Sequence, residues 1–479
     1  MTKAQKNKRK LNEWVSVKDF GAVGNGVADD TAAIQAAINS LPTTGGTIDF
    51  PLGIYKVSSG ITVLNRSNVR LLGRGFSGSY DTFDAGVTIL GASSAGFTVT
   101  NGVGVTFENL QLRNFNTALS FVASLGFRVF NCNLRNNQVG LTATGNGVGT
   151  IKDCFVRDNT LVGLRLLSSS GDTIITGCDI GGNAINILAC TGNVQIHHNH
   201  IFSSKNSGFG VGVWVDGANV DADGVIRRVL ISGNLLANND IQVKITGSSA
   251  SNRDVQDIQI HDNHIHQADD GGEGFDNGFA YGQGILIQNA KRVHVHHNNI
   301  IGCRDYGVLA QNCFEGVFVD HNHFRAGSAH GVVFDMVQWG RIDNNEFVSN
   351  VGTAVRFICT LGGNFTQNNR VHGNSFQSNG AIYTEDANTR ANFVHDNLGG
   401  VLGDFSLSST APVSQLRHIT QGGNTQTANQ TIVLSGSAWN GTRLLLGTNQ
   451  LWVDGTGKLR IKGSAPVSDT DGTVVGTQT

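Results

Sequence analysis

The chain has 479 residues, 39% of them hydrophobic, with 63 glycines and only 4 prolines. That is enough apolar material for one large core, and no stretch of about 18 apolar residues exists that would insert into a membrane. With 34 basic and 36 acidic side chains the net charge is −2, which argues against a nucleic-acid partner.

The first residues, Met1 to Asn12, carry Lys3, Lys6, Lys8, Arg9 and Lys10 with no apolar stretch behind them. They read as a flexible basic arm over 1–13 and not as a signal peptide. The next element is a short amphipathic helix over Asp30–Ile38, with Asp30 as its N-cap and Asp29 near its positive end. Such a helix would close the open end of a stacked core.

A six-residue phrase then recurs twelve times: an apolar residue, Asn or Cys three places on, and an apolar residue two places after that. It begins as Phe107/Leu110/Leu112 and continues as Val129/Cys132/Leu134, Ile151/Cys154/Val156 and Ile175/Cys178/Ile180. The Asn copies start at Ile196, Ile231, Ile260, Val295, Val319, Ile342 and Val371, and Val394/Asn397 is a worn last one. Most starts lie 21–24 residues apart, with 35, 29, 35 and 29 as outliers. A repeat in the low twenties, made of short strands, is a solenoid, and its extra residues become loops. Each repeat holds two strands around an Asn turn, then a Gly-led strand such as Gly331–Asp335. The fold class is all-β: a right-handed, single-stranded parallel β-helix from 14 to 400, with an N-terminal capping helix.

The residue before the Asn is mostly Gly, Asp, Asn or His (Gly233, Asp262, His297, Asn344, Gly373), types that tolerate positive φ. The Asn side chains are expected to form an inward ladder, each bonding its neighbours above and below. Cys132, Cys154 and Cys178 hold the same position and read as small buried hydrophobes rather than disulfides or metal ligands. Seven cysteines, an odd number, with these three used this way, fit folding in a reducing cytoplasm.

The Gly-led strands stack into one sheet, whose outward residues follow by alternation. One column reads Arg165, Asn186, Trp214, Gln242, Leu286, Leu309, Val333, Arg356, Tyr383. The other reads Leu167, Leu188, Asp216, Lys244, Gln288, Gln311, Asp335, Ile358, Glu385, which sets Lys244 directly above Asp216. The long repeats add Gly217–Arg227 and Thr246–Asp254 after this strand and His266–Gly284 before it. These additions would wall a groove over Trp214, Asp216, Lys244, Leu286 and Gln288. Trp214 offers a ring for a sugar, and acids and amides offer hydrogen bonds. The last loop adds Asp269, Asp270, Glu273, Asp276 and Tyr281, with Asp221 and Asp223 below. Glycoside hydrolysis needs two carboxyls, separated by about 5–5.5 Å for retention or 6.5–9.5 Å for inversion. Asp216 with Asp270 or Glu273 is the candidate catalytic set. Trp214, Lys244, Asp276, Tyr281, Gln288 and Gln311 are the candidate substrate contacts. A solvated acidic loop without catalytic role is the competing reading, and the same aspartates would also suit calcium, though no cofactor is required. β-Elimination from a uronate polymer is the alternative chemistry, with Lys244, Arg304, Tyr281 or Arg356 as base.

His197, His261 and His296 share one outward position, and His200, His264 and His323 another. They lie away from the groove and read as surface or inter-chain contacts rather than a zinc site.

Beyond 400 the repeat stops, and 401–479 is expected to be a small β region for trimer or glycan contact. It contains a hairpin over Leu451–Ile461 and a loosely ordered stretch from Ser464.

Residues 15–38, VSVKDFGAVGNGVADDTAAIQAAI, followed by Gly45–Pro51 and Gly53–Tyr55, resemble the entry to the pectate-lyase-like β-helix superfamily. Within it the chain is most similar to bacteriophage tailspike depolymerases, and its ending from Leu451 onward is similar to theirs. The resemblance implies a homotrimer that cleaves a bacterial surface polysaccharide, working in a virion tail or outside the cell after release from the cytoplasm. It supplies no catalytic residue by matching. A glycan-binding adhesin that does not cut is a further reading, because fold alone does not decide function.

Overall fold

The computed structural model describes residues 13–75, 86–203, 210–217, 225–248, 255–266 and 282–398, apart from 93, 146, 168–170, 327–329, 361–364, 387–388 and 396. Towards the C-terminus it describes 405–406, 444–446, 449–453, 459–462 and 473–474.

Each turn of the chain lays one strand on each of three long sheets. Phe127–Phe130, Asn133–Arg135 and Val139–Thr144 make one rung; Gly149–Lys152, Phe155–Arg157 and Val162–Leu167 make the next. The first sheet has 16 strands and the second and third have 14 each, and within them strands of successive rungs pair in parallel. This is the right-handed parallel β-helix expected from the repeat. The inward positions, such as Val129, Leu134, Leu141 and Leu166, are fully buried and join one continuous apolar core.

The corner between the first and second sheets is held by the expected ladder. Asn199 sends both its backbone N–H (3.0 Å) and its amide Nδ2 (3.1 Å) to Oδ1 of Asn234. The pattern repeats through Asn263, Asn298, Asn322, Asn345 and Asn374 to Asn397. Each amide also reaches a backbone carbonyl, as Asn298 does to Ile260 at 2.8 Å. The residue before it has positive φ at the described positions of this stretch, with 55° at His198, 54° at Asp262, 62° at Gly233 and 66° at Gly373. Below Asn199 the position passes to Cys178, Cys154 and Cys132, all buried and free. Burial pushes the Cys132 thiol up to about 12.

A second ladder was not anticipated. At the corner leading into the third sheet, Asn137 donates to Asn159 (3.0 Å), Asn159 to Asn183 (2.9 Å), and Asn183 to Asn186 (2.8 Å). Asn186 then donates to Asn239 (3.0 Å), and Asn239 to Gln242 (2.7 Å).

The N-terminal helix runs over Thr31–Ser40 and turns Ile34, Ala37 and Ile38 into the core. Asp30 does not cap it through its side chain. Its carboxylate accepts instead from the N–H groups of Val23 (2.5 Å) and Gly24 (3.0 Å), tying down the preceding loop. Asp29 takes the N–H of Thr31 at 3.1 Å, and hydrogen bonds from Ser58 and Thr31 hold its carboxyl down at about 2.

Two details differ at the C-terminal end. Phe405–Ser406 pairs in parallel with Tyr383 and Thr384, so the third sheet continues past residue 400. Thr473–Val474, expected in a loose stretch, pairs with Arg460 and Ile461. The expected hairpin is present, with Leu451 opposite Ile461, and Leu444–Leu446 completes a four-stranded antiparallel sheet.

Candidate functional site: a polar column on the third sheet

The third sheet carries the candidate residues on Val211–Asp216, Ile241–Thr246, Gln283–Gln288, Tyr306–Gln311 and His330–Asp335. Its register corrects the expected columns. Lys244 pairs with Trp214, not Asp216, and the residue beside Asp216 is Thr246. The outward columns run Arg165, Leu188, Trp214, Lys244, Leu286, Leu309, Val333, Arg356, and Leu167, Cys190, Asp216, Thr246, Gln288, Gln311, Asp335, Ile358. The slip arises because Asn186 and Gln242 occupy the glycine position of their strands and turn inward, into the second ladder. Tyr383 and Glu385 likewise point inward, where the Tyr383 hydroxyl donates to Glu385.

The corrected column is still polar from Asp216 to Asp335. Trp214 donates its Nε1–H to Thr246 Oγ1 at 2.8 Å, and Thr246 Oγ1 lies 3.3 Å from Asp216 Oδ1. Asp216 is 3% exposed, so this hydroxyl is a donor to a nearly buried carboxylate. The ammonium of Lys244 covers the Trp214 ring, and Leu188, the neighbour on the other side, packs in the same apolar cluster. Trp214 therefore meets the groove by an edge, not by the open face expected for stacking. Burial pushes the lysine pKa down, against the pull of Asp216.

Further along, Gln288 Nε2 donates to Gln311 Oε1 (2.8 Å), and Gln311 Nε2 to Asp335 Oδ2 (3.2 Å). Asp335 is fully buried and also receives Thr360 N (3.0 Å) and Thr360 Oγ1 (2.8 Å). Three donors converge on this buried carboxylate, which suits a structural anchor. The outward apolar residues Leu286, Leu309 and Val333 lie beside this chain and are themselves largely buried.

Trp214, Lys244, Asp216, Gln288 and Gln311 are thus brought together on neighbouring rungs. Asp270, Glu273, Asp276 and Tyr281 lie outside the described residues, as do Asp221, Asp223 and Asp269. Among the described residues no group of three or more His, Cys, Asp or Glu side chains is arranged to hold a metal ion. Thr246 and Thr360 were missed by sequence reasoning; Thr246 sits two places after Lys244, and alternation with the right register finds it.

The histidines form a separate belt at the first corner. His261 and His296 stack at 4.7 Å, His297 and His321 at 5.1 Å, and His294 donates to Asp320.

Three family models match the chain. Residues 14–82 match the rhamnogalacturonase A/epimerase, pectate lyase-like family, and 400–477 match the capsule depolymerase family. The right-handed β-helix region matches over 54–224 and 210–370, more than half of the chain. Among curated proteins, a mannuronan C5-epimerase (AlgE2) of Azotobacter vinelandii is 42% identical over 98 residues, 18% of this chain and 10% of that one. An alginate lyase of the same organism is 47% identical over 66 residues, 12% of this chain and 8% of the relative. The chain thus spans about a tenth or less of the length of the curated relatives it matches. Among solved structures, the tailspike protein of E. coli bacteriophage HK620, in complex with a pentasaccharide, superposes with a TM-score of 0.54 at 13% identity, covering 84% of this chain and 81% of that one. The fold is shared with that tailspike, and on the match over 54–370 the chain belongs to the right-handed β-helix family.

Proposed function

We propose that the chain is a depolymerase that cleaves glycosidic bonds of a bacterial surface polysaccharide in the groove of the third sheet. The observation that carries this is the capsule-depolymerase match over 400–477, next to a β-helix with a polar column ending in a nearly buried carboxylate. The tailspike that shares the fold was solved with a pentasaccharide, which supports a glycan as ligand. Asp216, held by the Thr246 hydroxyl, serves as the ionised carboxylate, acting as nucleophile or activating water. Asp270 or Glu273 supplies the protonated partner. Lys244, Trp214, Gln288 and Gln311 line the substrate path, joined by Asp276 and Tyr281. The chain works as a homotrimer on a virion tail or free outside the cell, and it requires no cofactor, although the loop aspartates suit calcium.

A specific observation favours a second chemistry. Lys244 is a half-buried lysine whose pKa burial lowers, a property of a general base. The two Azotobacter relatives described above are named as a mannuronan C5-epimerase and an alginate lyase, so β-elimination from a uronate polymer is the runner-up.

The test is incubation with bacterial capsular, exopolysaccharide and lipopolysaccharide glycans, following new reducing ends and ultraviolet absorbance together, for wild type and Asp216→Asn. Reducing ends without absorbance, lost in the variant by about a hundredfold or more, support the hydrolase. Absorbance with reducing ends replaces it with the lyase. Binding without cleavage makes the chain an adhesin.

A further inference from the structure

The hydrogen bonds along the margin of the third sheet have a direction, and it leaves one acceptor without a donor. Asp335, fully buried, takes donors only. Gln311 must therefore turn its amide nitrogen to Asp335 (3.2 Å) and its Oε1 to Gln288. Gln288 must in turn give its nitrogen to that oxygen (2.8 Å), which leaves Gln288 Oε1 as a free acceptor. Among the described residues, nothing donates to it.

Asp216 also needs donors, and Thr246 Oγ1 lies 3.3 Å from it while accepting from Trp214 Nε1 at 2.8 Å. A hydroxyl has one hydrogen. Once Thr246 gives it to Asp216, none is left for Gln288, the residue in register with it on the next rung. Two donor chains, each pointing to its own carboxylate, thus begin at residues in register on adjacent rungs, whose strands lie about 4.8 Å apart.

We propose that the gap between Thr246 and Gln288 is a glycan subsite that takes a hydrogen-bond donor, a sugar hydroxyl or amide N–H, and turns away a carboxylate or sulfate. This rests on the reading that the third-sheet groove holds polysaccharide. It specifies that the sugar seated over these two rungs presents an uncharged, donor-bearing edge there, even if the polymer is acidic elsewhere. A donor seated there satisfies Gln288 Oε1. An anion would face that acceptor and gain nothing.

The experiment uses the full chain and the glycan identified by the cleavage panel, with Gln288→Met as the variant. Methionine keeps the length of the side chain and removes the acceptor. KM, or the dissociation constant of the glycan, is expected to rise about three- to tenfold with kcat changed less. A partly O-methylated glycan, lacking donors, should bind wild type more weakly and bind Gln288→Met no worse than the native glycan does. Thermal melting verifies that the variant is folded, since Gln311 can then bond to water instead. Equal affinity of wild type and variant for the native glycan, within twofold, overturns the subsite and leaves the groove reading intact. So does a uronate glycan whose carboxyl reduction weakens binding to wild type but not to Gln288→Met, because an anion would then occupy the gap. A wild type that neither binds nor cleaves any glycan overturns the groove reading itself, and the subsite with it.

Discussion

The ammonium of Lys244 lies over the ring of Trp214, 4.1 Å from its centroid. A cation on an indole face is held by the ring quadrupole, and here it also stands near Asp216. Lys244→Met should therefore separate the two chemistries. A hydrolase that uses Asp216 should lose only about tenfold in kcat/KM, through poorer substrate positioning. An eliminase that uses the lysine as base should lose about a hundredfold or more, and should show activity rising with pH through the lowered lysine pKa. Initial rates from pH 6 to 10 for both proteins make the distinction.

The Asn ladder predicts a localised loss of stability. Asn298 accepts from the backbone N–H and the side-chain amide of Asn263 (3.1 and 2.9 Å) and donates to Ile260 O and Asn322 Oδ1 (2.8 and 2.9 Å). Asn298→Ala strands several buried polar groups, each costing roughly 1–3 kcal/mol, so a loss on the order of 3 kcal/mol is expected after relaxation. Hydrogen exchange should speed up most at the amides of Asn263 and Asn298 and little at the distant end of the solenoid. Uniform acceleration along the whole chain would contradict a local role for the ladder.

The histidine belt gives a pH dependence with a definite sign. Burial, with His294 and His261 as neighbours, holds His296 down at about 4 from an ordinary 6.5. Burial likewise lowers His197 and His264. The folded state therefore binds protons less readily than the unfolded chain at these sites. Their contribution to stability is present above pH 6.5 and is lost as pH falls towards 4. Asp320 works in the same pH direction: hydrogen bonds from His294 and His321 outweigh its burial and hold it at about 2, so its contribution is lost as pH falls below about 4. The thermal midpoint should fall between pH 7 and pH 4.5, and His296→Gln should flatten that fall. A midpoint that does not move over this range would count against the lowered pKa of His296.

Thiol accessibility is a fourth check. Six of the seven cysteines are buried and Cys359 is half-buried. Burial pushes Cys132, Cys190, Cys303 and Cys313 up to about 12, and the thiolate is the reactive form. A thiol reagent should label one site per native chain, at Cys359, and all seven after denaturation. Rapid native labelling at Cys178 would show that its rung is open.

The solenoid was legible because its corners are made by short-range rules: an Asn or Cys three residues after an inward apolar residue, and a turn residue with positive φ before it. The second ladder followed an equally simple rule, an Asn five residues after the first ladder position, as in Cys132/Asn137, Cys154/Asn159 and Asn234/Asn239. It was overlooked because Asn in a loop also reads as ordinary surface. The same residues spoiled the column assignment. Asn186 and Gln242 replace a glycine and are polar, so alternation counted from their neighbours moved two rungs by two positions. Lys244 itself faces outward beside Trp214, which is why Trp214, Asp216, Lys244, Gln288 and Gln311 were still gathered on one surface while Lys244 was given the wrong partner.

Strands of the three sheets bond to the rung before and the rung after, so the molecule is mechanically a zipper. A pull on the last rung would free one turn of chain at a time, and the helix Thr31–Ser40 closes the opposite end. The polar column runs across the teeth of that zipper, from the rung of Asp216 to the rung of Asp335. A polymer lying along it would splint four boundaries between rungs at once. Bound along those rungs, such a polymer would make the solenoid toughest against shear there.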